Sequence, residues 1–162
     1  HRLLEAGARL TTRTARGARE RLLLRHLRPE PRVEWGRRLG EERLASAMID
    51  LSDGLSSDLA HLCRESGVGA AVVASQLPLD PHVKRAAPEA DPLALALDGG
   101  EDFELLFTVR PRRAARLPRE LGGVTVTEIG EITDKRHGLR LRHDGRTRPL
   151  RPAGFTHFEK RR

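Results

Sequence analysis

Two acidic clusters carry most of the chemistry open to this sequence. The first is AMIDLSDGLSSDL, Ala47–Leu59, where the apolar run Ala47, Met48, Ile49 stops at Asp50 and is followed by Ser52, Asp53 and Gly54. In an extended segment Asp50 and Ser52, two apart, point to the same side. Asp53 falls where a pattern of helical spacing begins. Free backbone N–H groups and the helix dipole favour anions at such a start. Two carboxylates and a hydroxyl there could hold Mg²⁺ while the N–H groups meet phosphate oxygens. The simpler alternative is that Ser52 or Asp53 caps the helix and Asp50 merely ends a strand. Spacing leaves both open.

The second cluster is DGGEDFELLF, in which Asp98, Glu101, Asp102 and Glu104 surround the pair Gly99-Gly100. Carboxylates this close repel unless water or cations separate them. The glycines allow positive φ and close backbone approach. A metal or ligand site and a solvated turn before a strand, with Glu104 facing out, are both compatible with this pattern. Near the C-terminus, GFTHF holds two of the four phenylalanines, Phe155 and Phe158, around His157. Phe155 could stack on a planar ligand ring, or both rings could dock the tail on the core. Nothing supports nucleophilic catalysis. Cys63 sits among leucines on an expected helix, and the seven histidines show no ligand spacing. Neither a P-loop nor a dinucleotide fingerprint occurs.

These residues belong to a chain of 162 residues, the size of one domain, with aromatics at only 3%. Its core must therefore be mostly Leu, Val, Ile and Ala. One cysteine excludes an intrachain disulfide and fits a reduced, cytoplasmic setting. No run approaches the roughly 18 apolar residues of a membrane span. The net charge of +7 resides entirely in residues 1–38, which hold 11 Arg and 4 Glu, whereas residues 41–104 hold 13 acidic and 4 basic residues. A nucleic-acid module needs its basic residues along the working face, and here the informative middle is acidic, so no nucleic-acid partner is expected.

The elements that must position the clusters follow from periodicity. Residues 1–27 read as helical and end at Pro29 and Pro31. This segment has no partner element of its own before the break, so it reads as the helical tail of a preceding domain, with residues 28–162 forming the domain proper. Further helices are expected at Val33–Leu44, with Val33, Trp35 or Gly36, Leu39 and Leu44 inward, at Asp53–Ser66, at Pro92–Leu97 capped by Asp91, and at Pro111–Leu121. Strands are expected at Ser46–Leu51 (short and buried), Ala70–Ala74, Phe103–Val109 and Val124–Ile132. A hairpin is expected to turn at Asp144-Gly145. The sum is an α+β domain, a mixed β-sheet flanked by α-helices.

RHLRPEPRV, AMIDLSDGLSSDLAHL, LALALDGGEDFELLFTV and GFTHF together resemble the C-terminal half of the thiamine-monophosphate kinase family, within the aminoimidazole ribonucleotide synthetase superfamily. The resemblance runs from about Arg25 to Phe158. It implies transfer of the γ-phosphate of ATP to thiamine monophosphate with the help of several Mg²⁺ ions, in a homodimer. By the same resemblance Asp50 and Asp53 are metal ligands, Ser52 contacts ATP, Glu101 contacts the thiamine moiety and Phe155 lines the acceptor site. Phe103 and Phe155 stand where similar enzymes more often carry Tyr or Trp, and Asp98 replaces a more usual Ser. The resemblance also implies an N-terminal domain with further aspartates and most of the nucleotide site, so the chain is expected to be the C-terminal part of a longer enzyme, inactive alone. The alternatives are another ATP-dependent enzyme of the superfamily, or a basic RNA-binding fragment using residues 1–38.

Overall fold

The structure, a computed structural model, describes residues 17–154. Helix α1 (Ala18–Leu27) ends before Pro29, and α2 (Val33–Glu41) follows Pro31. Strand β1 (Ala45–Asp50) leads into α3 (Leu55–Ser66), which stops at Gly67, and β2 (Gly69–Val73) returns. The proline-rich stretch forms only a short 3-10 turn and the short α4 (His82–Ala86). Asp91 caps α5 (Pro92–Asp98), accepting the Leu93 N–H at 2.9 Å. Then come β3 (Leu105–Val109), α6 (Pro111–Ala114), β4 (Glu120–Leu121), β5 (Val124–Thr125), β6 (Gly130–Thr133), β7 (Leu139–His143) and β8 (Arg146–Pro149).

The strands form a mixed four-stranded sheet in the order β6-β2-β7-β8, an antiparallel pair β1-β3, and a small hairpin β4-β5. β2 runs parallel to β7 and antiparallel to β6. Buried inside this sheet, β2 is small and apolar throughout, as an interior strand must be. Helix α3 joins the two main sheets. Its Leu55, Leu59, Leu62 and Cys63 share one core with Ala70 and Val72 of β2, Leu106 of β3, Leu141 of β7 and Leu97 of α5. Cys63 is 3% exposed, and burial pushes its thiol up, so it is an inert filler as the sequence suggests. A second cluster of Trp35, Leu39 and Leu44 packs on Leu105 and Phe107, with the Trp35 indole donating to the Val124 carbonyl at 3.0 Å.

The α+β architecture agrees with the sequence, and several elements differ in detail. Val33 is 67% exposed instead of inward, and α2 stops at Glu41, leaving Leu44 to enter the core from the next turn. The Ser46–Leu51 strand is half-exposed, with one face bare at Met48. The expected helix Pro111–Leu121 is a single turn, because Pro118 disfavours helical geometry at Leu117. The expected strand Val124–Ile132 breaks in two. Val124 and Val126 pack on the Trp35 cluster whereas Ile129 packs on the α3 core, so one straight strand cannot serve both. The hairpin turns at Asp144 (φ 49°) and Gly145 (φ 70°), as read.

Candidate functional site

The site is organised by the first turn of α3. Ser56, Ser57 and Asp58 are 0%, 5% and 2% exposed, three consecutive polar side chains in the interior. Buried polar groups must find partners, and together these three reach three other segments of the chain. Asp58 Oδ2 accepts the N–H of Ser52 at 3.0 Å and of Asp53 at 3.1 Å, bending the loop after β1 back over the helix start. The Ser56 hydroxyl donates to Asp98 Oδ1 at 2.5 Å and accepts the Ala153 N–H at 3.2 Å. The Ser57 hydroxyl accepts the Gly154 N–H at 3.2 Å. The two acidic motifs and the segment that leads to Phe155 therefore meet at one helix end.

Backbone bonds stitch the two motifs directly. Glu101 N–H donates to the Ser52 carbonyl and Phe103 N–H to the Leu51 carbonyl, both at 2.8 Å, and Leu51 N–H donates to the Glu104 carbonyl at 2.9 Å. This close approach explains two glycines. Gly54 has φ 106°, and a Cβ there would lie 3.1 Å from the Asp98 backbone. Gly100 has φ 67°, and a Cβ there would lie 2.9 Å from the Ser52 carbonyl oxygen.

The helix start corrects one reading of the sequence. Neither Ser52 nor Asp53 caps α3: Gly54 occupies the N-cap position without a side-chain cap bond. The N–H groups of Ser52 and Asp53, which could have met phosphate oxygens, are already held by Asp58. Asp50 lies exposed at the end of β1 opposite Leu105, and Asp53 lies half-buried in the loop. Burial pushes the Asp58 carboxyl up against the lowering effect of its two N–H donors, and the charges of Asp53 and Asp50 add to the rise. Among the described residues, no three His, Cys, Asp or Glu side chains are arranged to hold a metal. Phe155 lies outside the described residues.

In the second motif Glu101 and Phe103 both adopt left-handed backbone, at φ 56° and 50°, which is uncommon for residues with a Cβ. The Glu101 side chain is 55% exposed, with Oε2 3.5 Å from His26 Nε2, and Phe103 is 39% exposed. One of the two readings compatible with this motif has Glu104 facing out; it does not, and its side chain is 32% exposed. Arg32 grips its carboxylate with a two-bond fork, Nε to Oε2 at 2.8 Å and Nη2 to Oε1 at 2.7 Å. Arg25 Nη2 adds a bond to Oε1 at 3.1 Å, and its Nη1 lies 3.7 Å from Asp80 Oδ2. The bond from Arg32 holds the Glu104 carboxyl below its usual range despite burial. Part of the basic excess before residue 39 thus answers the acidic middle of the same chain.

Asp102 behaves differently. Burial of its carboxyl, the largest cause, pushes it up to about 6, with Arg25 opposing and Glu104 reinforcing. A folded pKa above the ordinary value means the ionised form is disfavoured in the fold. The resulting penalty is full above about pH 6 and vanishes below the ordinary carboxylate range. The residue as a whole is exposed, so solvent weakens the effect. Asp102→Asn is expected to raise Tm by about 1–3 °C at pH 8 and by less at pH 5, read by thermal unfolding at the two pH values.

The model for the C-terminal domain of AIR synthase related proteins matches residues 8–142, and the chain belongs to that family. Within it, the chain's curated relatives include thiamine-monophosphate kinases. That of Salmonella typhimurium is 42% identical over 139 residues, 85% of this chain and 42% of the relative. That of Rhodopirellula baltica is 37% identical over 140 residues, 85% of this chain and 44% of the relative. Among solved structures, AaThiL complexed with AMPPCP and TMP superposes with a TM-score of 0.76 at 31% identity, covering 97% of this chain and 46% of that one. Thiamine-monophosphate kinase from Stenotrophomonas maltophilia gives 0.71 at 37% identity, covering 89% and 45%. The resemblance drawn from the motifs is borne out. The chain spans less than half the length of these relatives.

What the sequence missed is the Ser56-Ser57-Asp58 triplet and the Arg32–Glu104 pair. The available signal was a run of three polar residues at a helix start, and it looks like any solvated helix turn. Asp98, which had no assigned role, is the partner of Ser56.

Proposed function

We propose that this chain forms the acceptor side of a thiamine-monophosphate kinase, in which an oxygen of the thiamine monophosphate phosphate attacks the γ-phosphorus of ATP. The bond from that phosphorus to the bridging oxygen breaks, leaving thiamine diphosphate and ADP. The observation that carries the reading is the joining of the two acidic motifs through the Glu101–Ser52 and Phe103–Leu51 backbone bonds at 2.8 Å, in a chain 42% identical to such a kinase. The structure of AaThiL with AMPPCP and TMP supports ATP and thiamine monophosphate as the substrates.

Asp50 and Asp53 are the residues that would hold Mg²⁺. Their hard oxygens suit that ion, and two carboxylates from one chain fit a cation that retains several waters and takes further ligands elsewhere. When bound, Mg²⁺ screens the repulsion between two anionic phosphates. Ser52, whose N–H is committed to Asp58, offers its hydroxyl to the nucleotide. Glu101, displayed in a left-handed turn, reaches the thiamine moiety. Phe155, assigned to the acceptor site by the family resemblance, follows directly on Gly154, which the Ser57 hydroxyl fixes to the helix start. An N-terminal half supplying the remaining aspartates, the nucleotide site and the contacts of a homodimer completes the enzyme, which works in the cytoplasm. No helix among the described residues is long and apolar enough to cross a membrane.

Coupled ADP release tests the reading. A longer protein carrying this chain behind its ATP-binding half should release ADP with thiamine monophosphate and not with other phosphorylated acceptors. The 162-residue chain alone should show little or no turnover. Robust turnover by the chain alone would refute the half-site, and an equal or greater response to a different acceptor would point to another enzyme of the superfamily.

A further inference from the structure

We propose that Arg32 is a positioning residue that locks the Glu101–Phe103 turn through Glu104 and so sets affinity for the acceptor, without touching it. The proposal rests on the kinase reading given above. Glu101 and Phe103 hold left-handed backbone at φ 56° and 50°. Strained residues of this kind persist only where their surroundings over-determine them. On one side the turn is fixed by the bonds from Glu101 N–H and Phe103 N–H to the Ser52 and Leu51 carbonyls. On the other side the fixed point is Glu104, the residue that follows Phe103.

Arg32 is built for that task. Its guanidinium meets both Glu104 carboxylate oxygens, at 2.8 and 2.7 Å, the planar fork that lysine cannot reproduce. The Arg32 side chain is 17% exposed and that of Glu104 is 32% exposed, so the pair is screened less than a surface bridge. Arg32 immediately precedes α2 and follows Pro31, and Val33 N–H bonds back to the Pro31 carbonyl at 2.9 Å. The proline fixes the backbone that presents the side chain. Arg25, 60% exposed, gives Glu104 only a supporting contact.

The test has two readouts. In the 162-residue chain, Arg32→Gln should speed amide exchange at Glu101 and Phe103 about ten-fold or more while Val72 in the core strand is unchanged. In the complete kinase the same change should raise KM for thiamine monophosphate about ten-fold and leave KM for ATP within about two-fold. Arg32→Lys should rescue only partly. Glu104→Gln should reproduce the effect, and the double variant should be no worse than the worse single one, as expected when both remove one interaction. Arg37→Gln, which removes an exposed pair on α2, is the control. Equal shifts in both KM values, or unchanged exchange at Glu101 and Phe103, would overturn the proposal. If the unsubstituted complete protein fails to phosphorylate thiamine monophosphate, the kinase reading is wrong, and the exchange measurement still decides whether Arg32 locks the turn.

Discussion

Asp53→Asn, in a protein that carries this chain behind its ATP-binding half, is expected to lower kcat/KM by about 100-fold or more while moving Tm by less than about 2 °C. The substitution keeps the shape of the side chain and removes one negative charge. Phosphoryl transfer depends on positioning and on neutralising charge, so a lost cation ligand is felt in the rate. The fold is expected to tolerate it because the helix start relies on other groups: Gly54 is the N-cap, and the loop is held by Asp58 through backbone N–H groups that asparagine at 53 leaves in place. Steady-state kinetics and a thermal melt on the same preparation check this. A sharp drop in Tm with activity intact would make Asp53 a structural residue.

The reverse pattern is expected at Asp58. Asp58→Ala removes the acceptor of two N–H groups in a position only 2% exposed. Each orphaned donor costs about 1–3 kcal/mol, and relief of the buried charge offsets part of this. The net loss is roughly 3 kcal/mol, or about 6–12 °C in Tm for a domain of this size. Asp58→Asn should cost much less, because a single oxygen, Oδ2, accepts both bonds and an amide carbonyl can do the same. Burial raises the Asp58 carboxyl, so the penalty on its ionised form is full above the raised pKa and absent below the ordinary one. Relative to wild type, Asp58→Asn should therefore fare best at neutral and alkaline pH. Circular-dichroism melts across pH check the order of the three proteins.

The contrast between Asp53 and Asp58 shows what could be read from the chain and what could not. Helix α3, the cap at Asp91, the interior strand β2 and the Asp144-Gly145 hairpin follow from local spacing and local turn chemistry, which sequence displays directly. The acidic residues of both motifs were visible as candidates for the same reason. A cap at Ser52 or Asp53, one of the two readings that spacing leaves open, does not form: N-cap preference is a statistical property of Ser and Asp, whereas here a glycine with φ 106° lies against the Asp98 backbone. Ser56, Ser57 and Asp58 were passed over because their burial is created by chain as distant as Asp98 and Ala153. The bond between Arg32 and Glu104 spans 72 positions, and no local pattern announces it. The helix expected over Pro111–Leu121 ends after one turn, because Pro118 disfavours helical geometry at Leu117.

The most direct test of the account follows the phosphate itself. A protein carrying this chain behind its ATP-binding half is incubated with ATP labelled at the γ-phosphate, thiamine monophosphate and Mg²⁺, and the labelled products are separated. The account predicts label in the terminal phosphate of thiamine diphosphate, reduced by about 100-fold or more in Asp53→Asn. Label found only as inorganic phosphate, or carried by a different acceptor in preference to thiamine monophosphate, would contradict it.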